Sequence, residues 1–255
     1  MPKLTDGLIE FWRLNETSGS RNGALAAFNL ADSGATGATN FQPENNVVTE
    51  SDGAALFTAT TALSVASAAN LQIDNTKGFT ISAWANVINS TIDQYGIAGK
   101  ATAAEGVEYS LDYLVLVAGS PGGFAFRMGP NFIYTAGSNF PDQVFPNSGG
   151  SLRVDINRWY HLVGTYNPAG VMTFWQNNNY VGIVNVPVAQ ITTSVSKFAV
   201  GAHVTSATVL TKPFGGAVCN VGIWRRELTR EEIGNLYNGG ISLAYPFTSG
   251  AGTTY

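Results

Sequence analysis

The sequence predicts an all-β fold, an antiparallel β-sandwich with one short helix near the C-terminus. Three observations predict it. Alternating or short apolar runs punctuated by Gly, Asn, Pro and Ser recur from end to end, the period of strands rather than of helices. Two of these runs are joined by Asn177-Asn178-Asn179, and Asn tolerates the left-handed backbone that a tight hairpin turn demands. A single segment, Thr229 to Gly239, carries helix start and stop signals.

In chain order, strands are expected over 8–14, 54–57, 79–87, 109–117, 124–128, 159–166, 171–176, 180–186, 198–201 and 216–224, a spacing that reads as a sandwich. The 79–87 strand puts Phe79, Ile81, Ala83, Ala85 and Val87 on one face and Thr80, Ser82, Trp84 and Asn86 on the other, so Trp84 alone breaks the polar face. Residues 137–150 read as a long loop carrying Phe140 and Phe145, either a binding loop or a lid over a sheet edge. In the helix, Thr229 and Glu232 form a capping-box pattern, Glu231 and Glu232 sit at the positive end of the dipole, and Gly239 suits the left-handed C-terminal position. Ile233, Leu236 and Tyr237 are expected to dock it on the sandwich. With no internal repeat or linker, residues 1–240 read as one domain and 241–255 as a C-terminal tail.

Composition narrows the function classes. Of 255 residues 45% are hydrophobic and 11% aromatic, enough for a sizeable core, while charged residues make up only 12%, about half the usual share. The surface is therefore expected to be neutral and polar. A net charge of −4 with Lys and Arg spread along the chain argues against nucleic acid, which needs a basic stripe. Cys219 is the sole cysteine, and the opening Met1-Pro2-Lys3-Leu4-Thr5-Asp6 lacks the apolar core of a signal peptide. Both point to a chain made in a reducing cytoplasm. No apolar run approaches the roughly 18 residues that a spanning helix needs, so membrane insertion is not expected.

Sugar binding needs aromatic faces to stack on pyranose rings and amides or carboxylates to bond hydroxyls. Trp84 and Trp175 are the rings expected to be exposed, followed by Tyr95, Tyr113 and Tyr134; the alternative for each is burial in a sandwich face. Catalytic signals are weak by comparison. The nearest approach to a row of acids is Glu105, Glu108 and Asp112, which does not keep to one strand face, and Glu231 and Glu232 belong to the helix cap. His161 and His203 are the only histidines, too few for a Ser/His/Asp order to be argued. Gly96-Ile97-Ala98-Gly99-Lys100-Ala101 lacks the spacing and the Ser/Thr of a phosphate loop, and Cys219 reads as a small core residue.

Several segments, taken in order, resemble the laminin-G-like domains of the concanavalin A-like superfamily, found in bacterial surface proteins and phage structural proteins. They are the opening strand and turn from Leu8 to Gly19, the loop Ala31-Asp32-Ser33-Gly34-Ala35-Thr36-Gly37, the strand Gly78-Phe79-Thr80-Ile81-Ser82-Ala83-Trp84, the segment Arg158-Trp159-Tyr160-His161-Leu162-Val163-Gly164-Thr165-Tyr166 with its following hairpin, and Phe214-Gly215-Gly216-Ala217-Val218-Cys219-Asn220-Val221-Gly222-Ile223-Trp224 followed by Arg226-Glu227-Leu228-Thr229 and the helix. The resemblance implies a jelly-roll sandwich and gives His161 a structural place in a strand. It implies one calcium ion between Asp32 and Asn220, with Asn220 standing where the family usually has Asp, a loss of charge that weakens such a site. Hydrolytic relatives carry three acids at alternate positions of one strand, a triplet not found here, so the implied role is non-catalytic.

Two functions remain in view. One is a virion decoration or accessory protein of a phage capsid or tail, made in the host cytoplasm and displayed on the virion. It would bind neighbouring subunits, with Ile241 to Phe247 supplying a contact unless the tail folds back on its own core, and would form a homo-oligomer. The other is a carbohydrate-binding module of a bacterial surface protein that recognises cell-surface polysaccharide; a glycoside hydrolase stands third.

Overall fold

The structure is a computed structural model that describes residues 3–16, 22–25, 42–44, 48–49, 53–89, 93–115, 122–134 and 154–248. Within them the strands are β1 (Leu8–Trp12), β2 (Gln42–Glu44), β3 (Val48–Thr49), β4 (Ala55–Phe57), β5 (Ala62–Val65), β6 (Phe79–Asn89), β7 (Asp93–Thr102), β8 (Gly106–Val115) and β9 (Gly123–Met128). They continue with β10 (Asn131–Tyr134), β11 (Trp159–Tyr166), β12 (Val171–Gln176), β13 (Asn179–Asn185), β14 (Phe198–Val200), β15 (His203–Val204), β16 (Leu210–Thr211) and β17 (Gly215–Trp224), and the helix α1 spans Arg230–Tyr237.

Two antiparallel sheets face each other. The larger runs β13-β12-β11-β6-β17-β4-β3, with β1 also on β17, and the other runs β10-β9-β8-β7-β14-β5-β2. Strand alternation turns Phe79, Ile81, Ala83, Leu162, Tyr166, Met172 and Phe174 of the first against Tyr109, Leu111, Tyr113, Phe124, Phe126 and Phe198 of the second, and these form the main core. The β12–β13 hairpin forms as the three asparagines predict: Gln176 pairs with Asn179, and Asn177 and Asn178 take φ of 52° and 60°. Positive φ at both central residues is the type I′ geometry that matches strand twist.

A second apolar layer lies on the outer face of the larger sheet. There α1 buries Ile233 and Leu236 against Val163 and Trp224, each burial contributing roughly 1.5–3 kcal/mol. Both halves of the capping box are present: the Glu232 N–H donates to Thr229 and the Thr229 N–H to Glu232. Asn238 is the C-cap, with φ of 47°, and Gly239 after it is left-handed as expected, with φ of 65°. Residues 241–248 fold back on the same layer, where Phe247 packs edge-on against Phe11 with centroids 5.3 Å apart and Leu243 is buried. The folded-back course is thus the one taken by this part of the tail.

Several strands escaped the sequence reading, β7 above all. Its Gly96 and Gly99 are each a place of close approach. A Cβ at Gly96 would lie 2.4 Å from the His203 ring, and one at Gly99 would lie 2.4 Å from the Tyr109 carbonyl. The loop reading of 137–150 lies outside the described residues.

Candidate functional site

Alternation along three neighbouring strands aims a group of side chains away from the core at the open end of the larger sheet. Thr165 pairs with Thr173 between β11 and β12, and across β12 and β13 Thr173 pairs with Ile183 and Trp175 with Tyr180. Tyr180 is 50% exposed and meets the half-buried Trp175 edge to face, with centroids 5.5 Å apart. Of the helix, only the first residue, Arg230, reaches this far. The entry segment, Glu227 to Arg230, forms the opposite wall of a cavity of about 180 Å³ floored by Thr165, Thr173 and Trp175, a space the size of a single sugar ring. Thr165 is 1% exposed, and its Oγ1 has no hydrogen-bond partner. A buried hydroxyl left so costs about 1–3 kcal/mol, which a bound polar group would recover.

The wall is rigidly held. Thr80 Oγ1 donates to the Arg226 carbonyl at 2.7 Å and accepts from Leu228 N–H at 3.0 Å, clamping the turn into α1. Arg226 grips both oxygens of Glu232 at 2.6 and 2.8 Å. Burial raises the Glu232 carboxyl's pKa, but hydrogen bonds from Arg226 and Thr229, aided by the Arg226 charge, outweigh it and leave the group below its ordinary range. Gly78 has φ of 84°, and a Cβ there would lie 2.8 Å from the Tyr166 carbonyl, so the chain beneath the wall is restricted to glycine.

Trp84 is not the exposed ring that its polar neighbours suggest. It is buried beneath the C-terminal end of α1, where its ring, that of His161 and that of Tyr237 lie nearly parallel with centroids 5.2–6.1 Å apart. The polar face of β6 is broken because a helix covers it. His161 takes the structural place the resemblance implies: its Nε2 is 2.9 Å from Ser82 Oγ, its Nδ1 is unpartnered, and burial lowers its pKa to about 3. Tyr95 and Tyr113 are also buried, as part of the inter-sheet core. Tyr134 ends β10, and its side chain lies outside the described residues.

The outer face of the other sheet holds acids of a different character. Glu108, Ser110 and Asp112 alternate with the core-facing Tyr109, Leu111 and Tyr113, so two of the three acids do share a face, while Glu105 lies in the preceding turn. Glu108 and Asp112 are wholly buried: Glu108 pairs with Lys100 at 3.0 Å, and Asp112 with His203 at 2.9 Å and Arg127 at 3.4 Å. Burial raises Asp112, but His203, Arg127 and Ser110 together hold it below its ordinary range. Four residues along a strand separate the two acids by about 13 Å, wider than the roughly 5–9.5 Å between glycosidase carboxyls. The β15–β16 hairpin closes over this face, burying Val204 with Ala199 and Ala202.

Of the calcium pair, Asp32 lies outside the described residues. Asn220 sits at a bulge of β17 with φ of 49° and donates its amide to Ser242 Oγ at 2.8 Å, which leaves one neutral carbonyl as its ligand atom. The fit of the ion therefore turns on Asp32, since a single neutral oxygen is a poor start for a cation that takes 6–8. Among the described residues no group of three or more His, Cys, Asp and Glu side chains is placed to hold a metal.

Residues 57–234 match the Laminin_G_3 family of the concanavalin A-like lectin/glucanases superfamily. The chain belongs to this family, and its antiparallel sandwich with one short C-terminal helix is the family's jelly roll. No curated protein matches the sequence. Among solved structures, the binding domain of botulinum neurotoxin DC in complex with rat synaptotagmin II is similar at 14% identity and a TM-score of 0.58, over 91% of this chain and 51% of that one. Botulinum neurotoxin type C, whose cell entry is dependent upon interaction with two ganglioside molecules, is similar at 16% identity and a TM-score of 0.56, over 91% and 51%. A heptameric SAP-like pentraxin from Limulus polyphemus overlaps less well, at 13% identity and a TM-score of 0.47 over 63% and 70%. These likenesses are of fold, and the chain spans about half the length of the toxin domains it matches.

Trp175 is thus the sequence candidate that the fold brings to an open cavity. Tyr180 was missed although the turn fixes it, for a hairpin closed over Asn177 and Asn178 sets β13 beside Trp175. The contribution of Arg230 depends on how the helix docks, which no local pattern encodes.

Proposed function

We propose that the chain is a non-catalytic binding domain that takes a saccharide in the cavity between Trp175 and the entry to α1. One observation carries this reading: a half-buried indole, extended by the exposed Tyr180, and Thr165, whose hydroxyl is unpartnered, line one cavity with room for a single ring. Aromatic face plus hydroxyl is the pairing that sugars need. Among the described residues Glu227 is the one carboxylate in the lining, whereas glycoside hydrolysis needs two. The family's lectin membership and the receptor-binding toxin domains of the same fold support binding as the role.

The test is a glycan array followed by calorimetry on the hits, with Trp175→Ala and Tyr180→Ala. Each variant is expected to lose about tenfold or more in affinity while keeping its circular dichroism, a base-level loss for removing a stacking ring. Binding untouched by both variants would place the ligand elsewhere.

A second reading, docking onto neighbouring subunits of a phage capsid or tail, is favoured by Ile183 and Val188, which stay 45% and 47% exposed at and beyond the edge strand β13. Light scattering separates the two. A defined oligomer that ignores sugars supports subunit docking, and a monomer that gains mass with glycan supports the first reading.

A further inference from the structure

We propose that the saccharide held in this cavity carries a carboxylate, seated between the Arg230 guanidinium, the first-turn amides of α1 and the Thr165 hydroxyl. This rests on the saccharide reading and narrows it to acidic sugars of the uronate or sialate type.

The argument is one of unmatched donors. The first N–H groups of a helix have no intrahelical acceptor. In α1 the capping box uses those of Thr229 and Glu232, which leaves those of Arg230 and Glu231. Arg226 is spent on Glu232 and on the carbonyls of Lys3 and Asp6. Arg230 lines the cavity and, among the described residues, has no ion pair. Thr165, whose Oγ1 is buried and unpartnered, lines the same cavity. A neutral ring satisfies the hydroxyl but leaves the guanidinium and the positive helix end to water. A carboxylate accepts from all three, and charge-assisted bonds are about twice as strong as neutral ones. Glu227 in the lining and Glu231 on the first turn oppose this, which keeps the expected preference near tenfold rather than hundredfold.

The experiment is calorimetry with uronate- and sialate-bearing oligosaccharides, each paired with its carboxyl-reduced form, which alters charge and not ring stereochemistry. The acidic member of at least one pair is expected to bind about tenfold more tightly. Arg230→Gln should erase the difference, Glu227→Gln should widen it, and raising the salt from low to molar concentration should narrow it. Equal or better binding of the reduced forms, still lost in Trp175→Ala, overturns the acidic preference and leaves the saccharide site standing. A preference unmoved by both Arg230→Gln and Glu227→Gln places the carboxylate elsewhere and overturns the assignment. Failure of every saccharide, acidic or neutral, overturns both.

Discussion

The two outer faces of the sandwich are built on opposite principles. On the seven-stranded sheet, Glu108 and Asp112 are sealed from water with their bonds made: Glu108 pairs with Lys100 and accepts from the Ile73 and Ser194 N–H groups, and Asp112 pairs with His203 and Arg127. On the eight-stranded sheet the outward side chains are uncharged, an apolar layer under the helix beside hydroxyls and rings, and Thr165 Oγ1 is left without a partner. The charged face looks like chemistry and is architecture; the neutral face looks like surface and is where a ligand finds unmet bonds. A buried ion pair with all its bonds made has nothing left to offer a substrate, whereas an orphaned hydroxyl beside a half-buried indole does.

The comparison can be broken most sharply at Lys100. Lys100→Met leaves the Glu108 carboxylate buried without its cation and is expected to cost about 3–5 kcal/mol in denaturant unfolding, with saccharide affinity unchanged at temperatures where the variant is folded. Adding Glu108→Gln should restore much of that loss. A Lys100→Met protein of full stability would show the sealed face to be no structural support.

Next in size is acid. His161 is held neutral with its pKa near 3, against about 6.5 in the unfolded chain. Between those values the unfolded state binds the extra proton, so this contribution is full above pH 6.5 and is lost as pH falls toward 3. Going from pH 7 to pH 5 should cost about 2 kcal/mol, and His161→Gln should flatten that slope in melting curves. The depressed Glu232 and Asp112 act in the same direction but lower, fully present above their unfolded values near 4 and lost as pH falls through their folded ones.

Smaller effects fall on the open face. Thr229→Ala removes the cap that holds the cavity wall and should cost about 1 kcal/mol together with several-fold in saccharide affinity. Thr165→Val removes an unsatisfied hydroxyl and should leave stability within about 0.5 kcal/mol or raise it, while still weakening binding. A Thr165→Val protein that melts early and binds normally would show the hydroxyl to be structural.

Most of the sandwich was legible because the inward residues of β6, β11 and β12 keep strict period two and the Asn turn announces its hairpin. The helix was legible from its cap. The misplaced features share one cause, contact between segments distant in sequence. Trp84 reads as exposed until α1 arrives to cover it, and β7 goes unread because its Gly96 serves a close approach by the distant His203 ring. Trp175 was found because it interrupts a turn-adjacent stretch, whereas Arg230 joins the cavity only through the docking of α1 against Val163 and Trp224.

The tight fit of His203 over Gly96 also constrains the order in which this sequence can change. With the β15–β16 hairpin in place, even one methyl group at Gly96 meets the imidazole and the Ala202 backbone, so that position is locked for as long as the hairpin keeps its course. In a mutational scan Gly96→Ala should be among the least tolerated changes in the chain, and it should become permissible once the hairpin has been shortened. A side chain at position 96 and the present course of residues 202–203 thus exclude each other, so a change at one requires a prior change at the other.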